Sequence, residues 1–81
     1  MLTITLYTKE GCGLCDEVKA ELAVLAAAYP HRLAEVDITQ DAELFARYRY
    51  TIPVLEIGTI TLQAPITAVQ LIDALQTAVS S

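Results

Sequence analysis

The chain has 81 residues, 54% of them hydrophobic and 19% charged, which is enough apolar material for one small core and too much for a disordered segment. A net charge of −5 and a pI near 4.5 oppose the basic footprint that nucleic acid or an anionic membrane requires, so neither partner is expected. No uncharged apolar run approaches the ~20 residues of a membrane span, and "MLTITLYT" lacks the regions of a secretion signal, so a cytoplasmic protein is expected.

From Leu2 to Thr8, Leu2, Ile4 and Leu6 alternate with Thr3, Thr5 and Tyr7, the two-residue period of a strand. Cys15, Val18, Leu22, Leu25 and Tyr29 then recur at steps of three and four, which predicts a helix whose buried face begins at Cys15 and which Pro30 ends. "RLAEVDI", Arg32 to Ile38, reads as a second strand, joined to the first through the helix and therefore parallel to it. A short helix follows, capped by Thr39 or Asp41. "IPVLEIGTITLQ", Ile52 to Gln63, breaks at Gly58 into the two arms of a hairpin. In the last helix Thr67 and Gln70 have the spacing of a capping box, Ile66 and Leu71 that of a hydrophobic staple, and Leu71, Ile72, Leu75 and Val79 are expected to face inward. No linker or repeat divides this order, so residues 1–81 read as a single α/β domain, βαβαββα, with one mixed sheet and helices packed on it.

The only two cysteines lie in "EGCGLCDEV", where the first strand passes into the first helix. A disulfide closing so short a loop constrains the unfolded chain very little, which removes a structural crosslink as the reason for the pair. Cys12 is expected at the helix mouth, where unpaired N–H groups and the helix dipole favour a thiolate, and so takes the part of attacking nucleophile. Cys15, one turn inside, is close enough to resolve a mixed disulfide formed at Cys12. Gly13 keeps bulk away from the nucleophile and Lys9 adds a nearby positive charge, while Glu10, Asp16 and Glu17 oppose it. Two other readings stay open. The cysteines are also compatible with half a metal site, although only His31 and scattered carboxylates remain as further ligands, and with two inert core residues. In "TIPV", Thr51 to Val54, a cis Pro53 would bring Thr51 and Ile52 beside Cys12, with backbone groups left to pair an extended substrate.

Taken together, "YTKEGCGLC", "TIPVLEIG" and the element order resemble the glutaredoxins of the thioredoxin superfamily across essentially the whole chain, and in particular the small bacterial glutaredoxin-like proteins. The resemblance implies a thioredoxin-like, four-stranded mixed sheet of order 2-1-3-4 with helices on both faces and the fourth strand antiparallel. It implies that Cys12 attacks, Cys15 resolves and Pro53 is a cis-proline facing the disulfide. By the same resemblance Lys9 matches a basic residue that glutaredoxins often carry, and Thr51 with Ile52 matches their glutathione-pairing segment. Two features depart from the family. Gly13 and Leu14 replace the usual proline and tyrosine between the cysteines, and "LQAPIT", Leu62 to Thr67, lacks the glycine pair that holds the γ-glutamyl end of glutathione. Arg47 and Arg49 offer a substitute carboxylate clamp, against the simpler reading of solvated charges on a short helix, and Tyr7, Tyr48 and Tyr50 are expected to pack.

The expected function is therefore thiol-disulfide oxidoreduction on a protein or small-molecule disulfide, by a protein expected to be monomeric and to need no metal or organic cofactor. Electrons are expected from glutathione or a thioredoxin-reductase-type system, and the missing glycines favour the second. A non-catalytic binding module, including one that bridges a metal or iron-sulfur cluster between chains, is the alternative.

Overall fold

A computed structural model describes residues 2–80. Strand β1 (Leu2–Thr8) leads into helix α1 (Gly13–Leu25), strand β2 (His31–Asp37), a 3-10 turn (Ile38–Gln40), helix α2 (Ala42–Tyr48), strands β3 (Val54–Ile57) and β4 (Ile60–Gln63), and helix α3 (Ala68–Ser80). The sheet has the order β2-β1-β3-β4, with β1 and β2 parallel and both β1–β3 and β3–β4 antiparallel. The strand running against the other three is thus β3. β4 is antiparallel only to its neighbour, because the tight β3–β4 hairpin reverses the chain a second time. Gly58 makes that reversal at the first loop position with φ of 61°, a left-handed conformation that side chains disfavour.

Alternation in the strands sorts side chains onto two faces. Ile4 and Leu6 of β1 stand opposite Ile57 and Leu55 of β3, and these four pack with Val18 and Leu22 of α1 and Leu71, Ala74 and Leu75 of α3. On the other face Tyr7 stacks against Tyr48 of α2, with ring centroids 4.7 Å apart, so helices cover both sides of the sheet. The Tyr7 hydroxyl also donates to Glu56, two positions diagonal to it across the β1–β3 ladder.

The helix ends follow their caps. Asp41 caps α2 by accepting from the N–H groups of Glu43 (2.9 Å) and Leu44 (3.2 Å). Asp37 does the same for the 3-10 turn through Thr39, whose hydroxyl and N–H hold the Asp37 carboxyl below its ordinary range. That turn takes Ile38 out of the strand. At α3 the capping box is closed from both sides, Thr67 N–H to Gln70 Oε1 at 2.9 Å and Gln70 N–H to Thr67 Oγ1 at 3.2 Å.

Two expectations about the helices need correction. α1 ends at Leu25 rather than running to Pro30. A proline disfavours helical backbone in the residue before it, and the chain turns through residues 26–28 so that Tyr29, whose N–H still reaches Leu25 O at 2.8 Å, can pack against the core. In α3 the inward face is Leu71, Ala74 and Leu75, with Ala78 packed beside them, whereas Val79 is 56% exposed. Small alanines let α3 approach the sheet closely, and the spacing 71, 74, 75, 78 leaves position 79 one step outside the stripe.

Thr67→Ala is expected to lower stability by about 0.5–2 kcal/mol through loss of the cap, read as a shifted urea midpoint at constant slope. An unchanged midpoint would show that the box contributes nothing.

Tyr7 supplies a pH-dependent expectation. Its hydrogen bond to Glu56 first, then burial, then the charge of Glu56 push its pKa from 10.0 up to about 12. A group that holds its proton more tightly when folded contributes fully below its unfolded pKa and loses that contribution as pH rises to the folded value. The stability difference between the wild type and Tyr7→Phe should therefore be constant from neutral pH up to 10.0 and shrink toward about 12. A difference that does not change over that window would contradict the bond.

Candidate functional site

The candidate active site lies where β1 feeds α1. Gly11, with φ of 81°, turns the chain after Thr8, and Cys12 follows with extended backbone at the N-cap of α1. Its carbonyl accepts from the Asp16 N–H at 3.2 Å, and its Sγ accepts from the Cys15 N–H at 3.1 Å. A cysteine sulfur thus fills the place that a serine or aspartate oxygen usually takes at a helix start. Cys12 and Cys15 are joined as a disulfide, with Cα atoms 5.3 Å apart. Their surroundings differ. Cys12 is half-buried, while Cys15 is fully buried and continues into the core face of Val18 and Leu22. An incoming thiolate can therefore reach only the Cys12 sulfur without moving the helix. Between them, Gly13 is exposed with open space where a Cβ would sit, and Leu14 is 54% exposed.

The segment before β3 comes near α1 at Pro53, which shares a groove with Leu14 and Val18. The Ile52–Pro53 peptide is cis, as is Ala64–Pro65. The Tyr48 carbonyl accepts from the N–H groups of Thr51 (2.9 Å) and Ile52 (3.1 Å) and from Thr51 Oγ1 (3.3 Å). Ala64 N–H is shared between the carbonyls of Thr51 (3.3 Å) and Pro53 (3.0 Å). The expectation that this segment keeps its backbone groups for a substrate is thus corrected. Both N–H donors are used by the end of α2, and only the Ile52 carbonyl accepts no hydrogen bond among the described residues.

A groove of about 400 Å³ runs from Leu14 and Val18 of α1, past buried Pro53, to Pro65, Ile66 and Leu71. Exposed Glu17 and Glu21 stand along its α1 side. Leu14, Glu17, Val18 and Glu21 form a stripe at i, i+3, i+4 and i+7, next to the stripe of Cys15, Val18 and Leu22 that carries the core. That spacing was the signal for the groove wall, and the stronger apolar stripe beside it obscured it.

Lys9 does not line this groove. It borders a second recess with Glu10, Asp16, Lys19, Glu35 and Asp37. There Lys19 bridges Glu35 (3.2 Å) and Asp16 (3.3 Å), and those hydrogen bonds, Glu35 first, raise its pKa. Arg49 lies over the rings of Tyr50 (4.6 Å) and Phe45 (5.8 Å), and Arg47 over that of Tyr48 (5.9 Å), so both guanidinium groups pack on the aromatic residues of the α2 end. Tyr7 and Tyr48 pack, whereas Tyr50 is exposed. His31 pairs its Nδ1 with the Tyr29 carbonyl at 2.8 Å. Among the described residues no three His, Cys, Asp or Glu side chains gather as a metal site, and no helix is long and apolar enough to cross a membrane.

Known structures share this fold. A structural-genomics target protein from X. campestris is 32% identical to the chain, with a TM-score of 0.76 over 91% of this chain and 96% of its own. Chloroplastic thioredoxin z superposes with a TM-score of 0.70 at 18% identity, covering 100% of this chain and 80% of its own. Oxidised thioredoxin from Plasmodium falciparum gives 0.68 at 18% identity, covering 94% and 79%. At such identities the two thioredoxins establish the fold alone. Residues 3–76 match the family described as Glutaredoxin-like domain (DUF836), and with that match spanning nearly the whole chain, the protein belongs to this glutaredoxin-like family of the thioredoxin superfamily.

Proposed function

We propose that the protein is a thiol-disulfide oxidoreductase that works through Cys12 and Cys15. One observation carries the reading: a half-buried sulfur at the helix mouth is bonded to a fully buried one three residues on. In the reduced protein the N–H groups at the start of α1 stabilise negative charge on Cys12, so its thiolate is the attacking species. It forms a bond to one sulfur of the substrate disulfide as the substrate's own bond breaks, and the first substrate thiolate leaves and takes up a proton. Cys15 then gives up its proton and attacks the Cys12 sulfur, which expels the second substrate thiolate and forms the Cys12–Cys15 bond. Two electrons have passed to the substrate, which departs as two thiols.

The cycle runs on sulfur alone, and electrons must return from another thiol system. In this reading the substrate approaches Cys12 past Gly13, Leu14 and Pro53, supported by the open space at Gly13 and the groove that Leu14 and Pro53 share, and the Ile52 carbonyl, which accepts no hydrogen bond among the described residues, would accept from a substrate N–H. Ala64 and Pro65 bring side chains to the wall opposite α1, and Pro65 has no N–H to offer a carboxylate. We therefore assign the return of electrons to a thioredoxin-reductase-type system in preference to glutathione.

Turnover of hydroxyethyl disulfide with a coupled reductant separates the roles of the two cysteines. Cys12→Ser should abolish it, while Cys15→Ser should stop after the first step and accumulate mixed disulfides on Cys12, visible by intact-mass measurement. Full turnover by Cys12→Ser would reject the assignment.

A further inference from the structure

We propose that the groove beside the disulfide selects protein disulfides whose reacting cysteine is flanked by an apolar residue and a lysine or arginine, and that it disfavours anionic partners such as glutathione. The inference rests on the oxidoreductase reading and names the substrate class of that site.

The groove offers an apolar side chain a dry contact. Leu14 stands at its mouth, Val18 and Pro53 are buried in its floor, and Pro65, Ile66 and Leu71 form the opposite wall. Its charge is of one sign. Glu17 and Glu21 are exposed one helical turn apart, and neither has an ion-pair partner among the described residues.

None of the five Lys and Arg residues lines the groove. Lys9 and Lys19 border the other recess, Arg47 and Arg49 lie on aromatic rings at the end of α2, and Arg32 sits in β2. Several neutral donors around the groove are engaged elsewhere in the fold. The N–H groups of Thr51 and Ile52 go to Tyr48, that of Ala64 to Thr51 and Pro53, and that of Thr67 to Gln70, while Pro65 has none.

An anionic ligand therefore meets two unneutralised carboxylates without a cation to receive its own. A cationic side chain beside an apolar one meets complementary groups at both places. Recognition of this kind acts largely on the rate of encounter and weakens as salt screens the exposed charges.

The test is single-turnover oxidation of the fully reduced protein by symmetric disulfides of two acetylated, amidated peptides. Both contain leucine next to cysteine, and they differ only in a lysine or a glutamate on the other side. Hydroxyethyl disulfide and glutathione disulfide serve as a neutral and a natural anionic probe. Each rate is divided by that of dithiothreitol on the same disulfide, which removes the intrinsic reactivity of the sulfur.

At low salt the normalised rate should be about tenfold higher for the lysine peptide than for the glutamate peptide, the scale set by a few exposed ion pairs. Glutathione disulfide should fall with the glutamate peptide. The ratio between peptides should shrink toward one in about 0.5 M salt. It should shrink likewise in Glu17→Gln/Glu21→Gln, whose exposed positions leave the fold intact. Equal normalised rates for the two peptides, or a faster glutathione disulfide, with hydroxyethyl disulfide still reduced, would overturn the groove assignment alone. Failure to reduce any of the four would overturn the redox reading and this inference with it.

Discussion

The reactive end of the protein hangs from one contact, the 3.1 Å hydrogen bond from the Cys15 N–H to the Cys12 sulfur. It satisfies a donor that every helix leaves open at its start, so the proposed nucleophile and the helix cap are the same atom. The position of that atom is fixed from both sides. Upstream, β1 is a central strand bonded to β2 and β3, and Gly11 turns its end into the helix. Downstream, Cys15, Val18 and Leu22 anchor α1 in the core. Burial of Cys15 and partial exposure of Cys12 are then two results of one helix register, the asymmetry on which the proposed roles of the two sulfurs rest.

The groove wall opposite α1 is held by a second chain of contacts. Tyr7 near the end of β1 stacks on Tyr48, whose carbonyl in turn gathers the Thr51 and Ile52 N–H groups and so fixes the residues before Pro53. Ala64 ties the same segment to the hairpin and brings Pro65 to the groove. The Thr51, Ile52 and Ala64 donors are thus spent on building the wall, and the groove beside it combines apolar surface with the charge of Glu17 and Glu21.

The parts of this protein that were legible in the sequence are those fixed by local periodicity and spacing. Alternation placed β1, the i, i+3, i+4 pattern placed the start and buried face of α1, and the capping box placed α3. Spacing also put Cys12 at the helix mouth. What the sequence concealed depends on tertiary packing. Ala26 to Ala28 suit a helix as well as a turn, and it is the packing of Tyr29 against the core, just before Pro30, that turns the chain after Leu25. Lys9 is three residues from Cys12 in sequence, yet it borders the recess near Asp16 and Glu35 instead of the groove, a choice of flank that no linear spacing contains. The Thr51 and Ile52 donors are spent on Tyr48 through loop bonds that no propensity announces.

The division of labour between the two sulfurs is most directly tested by limited alkylation. The fully reduced wild-type protein is treated with a brief, substoichiometric pulse of iodoacetamide under native conditions, and the modified peptides are mapped by mass spectrometry. A helix-capping, half-buried Cys12 beside a buried Cys15 predicts label almost wholly on Cys12, with Cys15 reacting only after denaturation. Equal labelling of the two, or label on Cys15 first, would contradict the account.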